Sequence, residues 1–390
     1  MQQAPISMRK TVAIFGKTNS GKSSLFNGLL QQEKSIVSKV SGTTTDPVEK
    51  AMELVGYGPI TLIDTAGFGD ESALGEQRIK KSKEILKRAD LVILVSDVSQ
   101  DEIDLTTFGK IPVLKVYTKC DIAREDLLKK KVSENPDGIF IKDYSDRGLS
   151  DLREKLVKEL QKQQRDDETM LGNIVKKGET VVMVIPIDSA APKGRLILPQ
   201  VQAIRDCLDN GITAVSVTPD LLAETIKELK KIALVVTDSQ AFAEVSKIVP
   251  EEIPLTSFSM LLANQKGRIS QLIEGTRAIK SLNDNDRILM LEACTHSTTH
   301  DDIGRVKIPM LLKKNTGKDL KFTHLSGYDF PTDIRKYKLV IQCGGCMINK
   351  RTIQNRLELL EENKIPVTNY GVVLAYLSGI LTRASKIFLQ

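Results

Sequence analysis

The sequence predicts an α/β fold in which three successive segments each form a parallel sheet covered by helices. Short apolar runs, which are typical of buried strands, alternate along the chain with amphipathic stretches that are typical of helices. This alternation favours parallel sheets, because every crossover connection lays a helix on a face of the sheet. The chain of 390 residues is also long enough for two or three domains.

The predicted elements divide the chain into three domains and one linker. The first domain covers residues 8–163, and the charged stretch that follows indicates a linker over residues 164–172. The second domain covers residues 173–263 and the third covers residues 264–390. The clearest predicted strands are TVAIFG and LVILV in the first domain, VVMVIPID, AVSVTP and IALVVTD in the second, and RILMLEA, KLVIQ and PVTNYG in the third.

The composition is that of an ordinary globular protein with a mildly basic charge. The net charge of +6 comes from 56 basic and 50 acidic residues, which permits a polyanion partner without demanding one. No nucleic acid partner is expected. The five cysteines are too scattered for a disulfide framework, and the N-terminus lacks a signal-peptide pattern. Apolar runs of at most about ten residues are too short to span a membrane, so we expect a cytoplasmic protein without membrane association.

A phosphate-binding loop is predicted between the run VAIF and the helix SLFNGLL. The segment from Gly16 to Ser23 matches GxxxxGK[ST] in the strand–loop–helix context that the motif requires. Its glycines let backbone N–H groups turn toward phosphates, and the helix dipole adds to the attraction. Lys22 should reach the β and γ phosphates, and the Ser23 hydroxyl should bind Mg²⁺. The predicted phosphate-binding residues are Gly16, Asn19, Ser20, Gly21, Lys22, Ser23 and Ser24.

Two further motifs indicate a γ-phosphate sensor. Asp64-Thr-Ala-Gly67 follows the strand PITLI, so Asp64 can hold Mg²⁺ through water and the Gly67 N–H can contact the γ-phosphate. The polar stretch Gly42-Thr-Thr-Thr-Asp46 lies between this motif and the phosphate-binding loop and suits a switch loop. Together with the loop, these motifs predict a P-loop nucleotide hydrolase domain.

A fourth motif predicts that the nucleotide is GTP or GDP. Thr118-Lys119-Cys120-Asp121 follows the strand IPVLKVY and is a variant of Asn-Lys-x-Asp, with Thr118 in place of Asn. Asp121 can accept two hydrogen bonds from the guanine edge, whereas adenine offers no matching donors. Lys119 can lie along the base. The last guanine-contacting motif would fall near Lys142-Asp143 but matches poorly, and we predict no base contact there.

On these motifs the first domain resembles GTPases of the Era and tRNA-modification type. The resemblance implies that Thr44 is the switch threonine on Mg²⁺ and that Asn19 helps to hold a K⁺ near the phosphates. Phe68 stands where Ras-like proteins carry a water-positioning Gln, and Glu76 is the candidate for that task, with a solvated carboxylate at a helix start as the alternative. The predicted catalytic residues are Lys22, Thr44, Asp64, Gly67 and Glu76.

A second group of chemically reactive residues lies in the third domain. Cys294-Thr-His296 follows the strand RILMLEA, and Cys343-Gly-Gly-Cys346 follows the strand KLVIQ. If those strands are neighbours, three thiols and one imidazole converge at the carboxyl edge of the sheet. Such a set would suit a Cys₃His zinc site or an Fe–S cluster with one non-Cys ligand, and the alternative is that these are small buried side chains. His300, Asp301 and Asp302 form either a capping loop or a supply of extra ligands.

Over its full length the chain resembles the HydF family, the [FeFe]-hydrogenase maturation GTPases. The resemblance rests on the GTPase motifs, the stretch from Asp188 to Gln200 and the terminal Cys-Gly-Gly-Cys. It implies a [4Fe–4S] cluster on Cys294, Cys343 and Cys346 with one exchangeable iron position. That position would receive the two-iron precursor of the hydrogenase active site, made with radical-SAM maturases, for transfer to the apo-hydrogenase. The resemblance also implies a homodimer formed by the middle domain and GTP hydrolysis that acts as a switch.

One residue departs from the family pattern. Many members have His immediately before CxxC, and this chain has Gln342, whose amide is a poor iron ligand. The fourth ligand is therefore left open between His296, Asp301, Asp302 and solvent. Two other functions remain as alternatives: a ribosome- or RNA-directed GTPase with a structural Cys₃His zinc site, and a regulatory GTPase whose C-terminal half only binds partners.

Overall fold

A computed structural model describes residues 8–31, 47–65, 81–82, 84–164, 169–187, 193–293 and 303–389. The chain forms two compact units, Met1–Asp166 and Asp167–Gln390. Within the described ranges, no helix combines the length and the apolar character that crossing a bilayer requires. We describe each unit by itself.

The first unit contains a six-stranded sheet with the order β2-β3-β1-β4-β5-β6. Its strands are β1 (Lys10–Gly16), β2 (Val48–Leu54), β3 (Gly58–Asp64), β4 (Leu91–Asp97), β5 (Val113–Thr118) and β6 (Ile139–Phe140). Its helices include α1 (Lys22–Gln31), α2 (Glu125–Glu134) and α3 (Ser150–Gln164). All strand pairs are parallel except that of β2 with β3, which places one antiparallel strand at the edge.

The central strands of this sheet are buried because both faces are covered. Every residue of β4 is buried, and all residues of β1 after Lys10 are buried. One core, which includes Leu25 and Leu152, contains residues of α1 and α3, and a second includes Phe15 and Phe108. The sequence prediction of a P-loop domain with a parallel sheet is therefore confirmed.

The second unit contains two four-stranded sheets, both entirely parallel. The first sheet has the order β10-β9-β7-β8, and the second has the order β12-β11-β13-β14. The first four strands are β7 (Thr180–Val184), β8 (Thr213–Val217), β9 (Leu234–Thr237) and β10 (Leu255–Ser257). The last four are β11 (Arg287–Glu292), β12 (Lys321–Ser326), β13 (Leu339–Gln342) and β14 (Val367–Asn369).

The helices of this unit alternate with its strands. They are α4 (Leu198–Asp209), α5 (Leu222–Glu228), α6 (Phe242–Ile248), α7 (Phe258–Lys266), α8 (Ile269–Gly275), α9 (Ile308–Thr316), α10 (Lys350–Glu362), α11 (Tyr370–Leu377) and α12 (Leu381–Ser385). Three of them begin at a side-chain cap near a strand end. Ser257 accepts a hydrogen bond from the Met260 N–H of α7, and Asn349 and Asn369 cap α10 and α11 in the same way.

The two sheets of the second unit share one core. A single buried cluster contains Val182 and Val235 of the first sheet together with Leu289 and Val340 of the second. Helix α7 contributes Met260 to this cluster, and the domain boundary predicted between residues 263 and 264 lies inside α7. One continuous core therefore supports the strands of both sheets in the second unit. In α/β sheets, ligands bind at the carboxyl ends of such strands.

Candidate functional site

The predicted phosphate-binding loop connects β1 to α1 in a tightly constrained turn. A Cβ atom on Gly16 would lie 2.2 Å from Val95 O, so only glycine fits there. Asn19 and Gly21 both have left-handed backbone angles, with φ of 62° and 86°. Left-handed residues within such a turn create the concave arrangement of N–H groups that binds anions. The loop therefore has the conformation that a phosphate site needs.

The charged and hydroxyl side chains of this loop meet the end of β3. The buried Lys22 Nζ donates a hydrogen bond to Lys17 O at 2.7 Å, and burial lowers the pKa of Lys22 while the charge of Asp64 opposes that shift. The Ser23 Oγ donates to Asp64 Oδ2 at 2.8 Å. Asp64 Oδ1 is buried and has no hydrogen-bond partner among the described residues. A hydroxyl beside a carboxylate with a spare oxygen is a donor set that suits Mg²⁺.

The guanine motif is joined directly to the phosphate-binding loop. The fully buried Thr118 Oγ1 donates to Ser20 O at 2.7 Å. Lys119 has a left-handed backbone, with φ of 58°, and its Nζ forms an ion pair with Asp97 Oδ2 at 2.8 Å. Asp121 is exposed, which leaves its carboxylate accessible to a base. Thr118 thus fixes the loop, and Asp97 fixes Lys119.

The carboxylate of Asp97 has a low pKa that favours this ion pair. Burial alone raises the pKa of Asp97, but hydrogen bonds from Lys119 and Ser99 outweigh it and lower the pKa below its usual value. Ser99 contributes both its N–H at 2.9 Å and its Oγ at 2.7 Å. Asp97 therefore stays ionised and anchors Lys119.

Sequence reasoning missed Tyr144, which lies where the last guanine-contacting motif was sought. Its hydroxyl forms a hydrogen bond with the Ser24 side chain and lies 3.0 Å from the Cβ position that Gly21 lacks. Its own Cβ lies 3.1 Å from the Cβ position that Gly28 lacks on α1. Burial and then the charge of Asp121 raise the pKa of Tyr144. Tyr144 thus lies between the loop and the guanine motif.

Several predicted residues lie outside the described part of the chain. In the GTPase domain these are Thr44, Gly67, Phe68 and Glu76. In the third domain they are Cys294, His296, His300, Asp301 and Asp302.

The strands that precede the two cysteine motifs are neighbours, as the convergence of these motifs required. Strands β11 and β13 are paired in parallel, with Leu291 opposite Gln342. Cys343 follows β13, and its N–H donates to Leu291 O at 2.8 Å. Its sulfur accepts a hydrogen bond from the N–H of Ala293 at 3.0 Å. Ala293 immediately precedes Cys294. The end of the strand that leads into the Cys294-Thr-His296 motif therefore lies beside Cys343, at the carboxyl edge of the sheet.

The Cys-Gly-Gly-Cys loop surrounds its first sulfur with backbone N–H groups. The Gly345 N–H also donates to Cys343 Sγ, at 3.4 Å, and Gly345 has a left-handed φ of 67°. Cys343 and Cys346 are half-buried. N–H groups directed at sulfur stabilise a thiolate, the form in which cysteine binds metals.

Two buried cations lie beside this loop. The Lys266 Nζ donates to Gly345 O and, at 2.8 Å, to Ile348 O. Burial lowers the pKa of Lys266 to about 8, against the charges of Cys346 and Cys343. Burial also lowers the pKa of Arg356, and the largest effect in the opposite direction comes from the charge of Cys343. These lysine and arginine side chains were not singled out from the sequence, since nothing local marks them.

The remaining polar groups do not complete a metal site by themselves. Within the described ranges, no three His, Cys, Asp or Glu side chains converge on one point. Gln342 Oε1 is buried next to Cys343 and has no hydrogen-bond partner in the described structure. The other two described cysteines, Cys120 and Cys207, are buried core residues, and burial raises their pKa values to about 11 and about 12.

Family models match three successive parts of the chain. The hydrogen maturase F dimerization domain matches residues 170–267, and the hydrogen maturase F tetramerization domain matches residues 270–387. A model described as 50S ribosome-binding GTPase matches residues 11–119. The two maturase models together cover more than half of the chain.

Two curated relatives each match about a third of the chain. The tRNA modification GTPase MnmE of Aquifex aeolicus is 36% identical over 155 residues, which is 38% of this chain and 34% of the relative. The MnmE of Thermoanaerobacter sp. is 40% identical over 136 residues, which is 33% of this chain and 29% of the relative. The chain thus spans about a third of the length of these relatives. A crystal structure of Aquifex aeolicus Era bound to GDP and AlF4⁻ aligns at 19% identity and TM-score 0.30, over 53% of this chain and 92% of that chain.

These findings agree with the geometry of the nucleotide site. A GTPase family model covers the phosphate-binding loop, Asp64 and part of the guanine motif, so the first unit hydrolyses GTP with Mg²⁺. The two maturase domains follow it in order and carry the oligomerisation function that their descriptions name. The chain belongs to the hydrogen maturase F (HydF) family of hydrogenase-maturation GTPases.

Proposed function

We propose that this chain is a GTP-switched carrier for the active site of [FeFe]-hydrogenase. It binds a [4Fe–4S] cluster, receives the two-iron precursor of the hydrogenase active site and transfers that precursor to the apo-hydrogenase. One observation carries the proposal. The Cys343 sulfur accepts the N–H of Ala293, so the strand that leads to Cys294 ends beside Cys343 at the carboxyl edge of the sheet.

The residues at this edge fit an Fe–S cluster. Cys294, Cys343 and Cys346 would hold the cluster, which supplies one iron with an exchangeable ligand. The N–H groups directed at Cys343 and the buried cations nearby favour thiolates, which a cluster requires. Gln342 Oε1, next to Cys343 in the chain, is buried and has no hydrogen-bond partner among the described residues, so it is available as an acceptor. His296, Asp301, Asp302 or solvent would be the fourth ligand.

The nucleotide site would act as the switch. Ser23, Thr44 and Asp64 would hold Mg²⁺, and Lys22 would bind the β and γ phosphates. The Gly67 N–H would contact the γ-phosphate. The Ser23–Asp64 hydrogen bond supports this assignment, since it places a hydroxyl and a carboxylate, oxygen ligands that Mg²⁺ prefers, side by side.

Base recognition and cation activation complete the nucleotide assignment. Asp121 would bind guanine beside Lys119, whose position is fixed by Asp97. Asn19, exposed in a left-handed position at the turn of the loop, would help to hold a K⁺ that neutralises charge as an arginine finger does elsewhere. Glu76 would orient the attacking water in place of the Gln that Phe68 replaces.

The partners follow from the same family assignment. The match to a dimerization domain supports a homodimer, and the match to a tetramerization domain supports a further association of dimers. The maturation role requires radical-SAM maturases as suppliers of the precursor and the apo-hydrogenase as its acceptor. Such chemistry belongs in a reducing cytoplasm.

Metal analysis of anaerobically purified protein tests the cluster. We expect a brown protein with about four irons per chain, and loss of that iron in Cys343→Ser and Cys346→Ser. Cys207→Ser is the matched control, because Cys207 is a fully buried core thiol of α4, outside both cysteine motifs, and this variant should retain the iron. A colourless protein with one zinc per chain would instead favour the RNA-directed GTPase with a structural zinc site.

A further inference from the structure

Two buried cations border the Cys-Gly-Gly-Cys loop from different helices. Lys266, at the end of α7, is 4% exposed, and Arg356, in α10, is 6% exposed. Buried lysine and arginine side chains usually have a carboxylate partner, because an unpaired charge loses its hydration without compensation. The groups that accept hydrogen bonds from Lys266 and Arg356 therefore indicate the role of these two side chains.

Neither cation forms an ion pair with a carboxylate of the described residues. In this part of the chain Lys266 donates to the carbonyl oxygens of Gly345, within the cysteine loop, and Ile348, just after it. Arg356 donates to Gly327 O at 2.8 Å and Asp329 O at 3.4 Å, both backbone carbonyls. Its guanidinium also lies 5.8 Å from the centre of the Phe330 ring. Carbonyl oxygens satisfy the hydrogen bonds of these groups and leave most of their charge uncompensated.

The helices that carry both cations contact the cysteine loop. Lys266 of α7 donates to Gly345 O, between Cys343 and Cys346. The side chain of Ile353, in α10 with Arg356, lies 2.9 Å from the Cβ position that Gly345 lacks. Buried positive charge on two helices that pack against the loop favours thiolates over neutral thiols.

We propose that Lys266 and Arg356 balance the negative charge of the thiolate-bound cluster and raise its reduction potential, an inference that rests on the function proposed above. Three thiolates leave an oxidised [4Fe–4S] cluster with a net negative charge, and one-electron reduction increases that charge. Buried positive charge therefore stabilises the reduced form more than the oxidised form.

Helix α7 also fixes the position of the loop. At its start, Ser259 lies 3.7 Å from the Cβ position that Gly344 lacks. At its end, Lys266 binds the carbonyls of Gly345 and Ile348. Lys266 is thus a positioning residue as well as a counter-charge, and a test must separate the two roles.

An EPR-monitored redox titration of the full-length, anaerobically reconstituted protein makes that separation. Lys266→Met and Arg356→Gln remove one charge each, and Lys266→Arg keeps the charge. The matched control is Arg268→Gln, which removes a surface charge that pairs with Glu358 and Glu361. In each neutral variant we expect the equilibrium constant for reduction of the cluster to fall about tenfold. The reduction potential then falls by about 59 mV for a one-electron couple. Lys266→Arg and Arg268→Gln should keep the wild-type potential.

Each outcome decides between the two proposals. A wild-type protein without iron would refute the cluster function, whereas a normal cluster whose potential is the same in both neutral variants would refute the counter-charge inference alone. If Lys266→Met does not bind iron, Lys266→Arg decides. Cluster binding at the wild-type potential in that variant supports the charge role, and failure to bind the cluster overturns it in favour of side-chain packing.

Discussion

The hydroxyl of Thr118 connects the guanine motif to the phosphate-binding loop, and removing it should weaken nucleotide binding. Thr118 is fully buried, and its Oγ1 donates to Ser20 O at 2.7 Å, with Ser96 O farther away at 3.4 Å. Thr118→Val keeps the shape of the side chain and deletes only the donor. The change therefore reports on one hydrogen bond between two motifs.

The size of the effect follows from the burial of that hydrogen bond. Leaving a buried polar group without its partner costs about 1–3 kcal/mol. Because the bond orders the loop that binds the phosphates, we expect most of this cost to appear in nucleotide affinity. Each 1.4 kcal/mol is a tenfold change, so the Kd for GTP should rise about 5-fold to 150-fold.

A fluorescent GTP-analogue titration with Mg²⁺ measures this change. Thr118→Ser is the matched control, since it keeps the hydroxyl and should bind within about threefold of the wild type. Thermal unfolding of the nucleotide-free protein shows whether the loss falls on the whole domain instead. Wild-type affinity in Thr118→Val would show that the loop is ordered without this bond, and the reasoning would then be wrong.

Three further predictions concern the same unit. Tyr144→Phe removes the hydrogen bond to Ser24 and should raise the Kd for GTP by about 2-fold to 10-fold at unchanged melting temperature, as a titration beside a melting curve would show. Asn19→Ala should abolish a GTPase rate advantage of K⁺ over Na⁺, and equal wild-type rates in the two salts would refute the K⁺ assignment. Although burial opposes the shift, hydrogen bonds from Tyr117, Lys115 and Lys131 lower the pKa of Glu102 from 4.5 to about 2. The stability that this carboxylate contributes is therefore present above about pH 4.5 and is lost as the pH falls toward about 2. Over that pH range, the melting temperature of Glu102→Gln should fall less than that of the wild type.

The nucleotide site can be proposed from the sequence because its predicted residues lie in short motifs. Ser23 and Asp64 belong to two motifs 41 residues apart, and the structure joins them with one hydrogen bond. From the sequence, the pairing of β11 with β13 could only be assumed, because local sequence does not determine the order of strands in a sheet. Strand periodicity predicted that each motif follows a strand, and the topology makes those two strands neighbours.

Other features could not be predicted from local sequence. Strands β10 and β12 were missed because β10 has three residues and β12 is only partly buried along its length. Lys266 ends an apolar helix and contacts carbonyls 79 and 82 residues away, so no local pattern reveals its role. Tyr144 departs from the usual Ser-Ala motif, and only its contacts with Gly21 and Ser24 identify it.

In vitro maturation of an apo-[FeFe]-hydrogenase tests the central claim most directly. Cluster-loaded protein is incubated with the radical-SAM maturases and the apo-hydrogenase, and hydrogen evolution is measured. The account predicts activity with the wild type and with Cys207→Ser, and its loss with Cys343→Ser, because Cys343 lies beside Ala293 at the carboxyl edge of the sheet whereas Cys207 is a core residue of α4. Full maturation by Cys343→Ser would contradict the carrier function and favour a regulatory GTPase whose C-terminal half only binds partners.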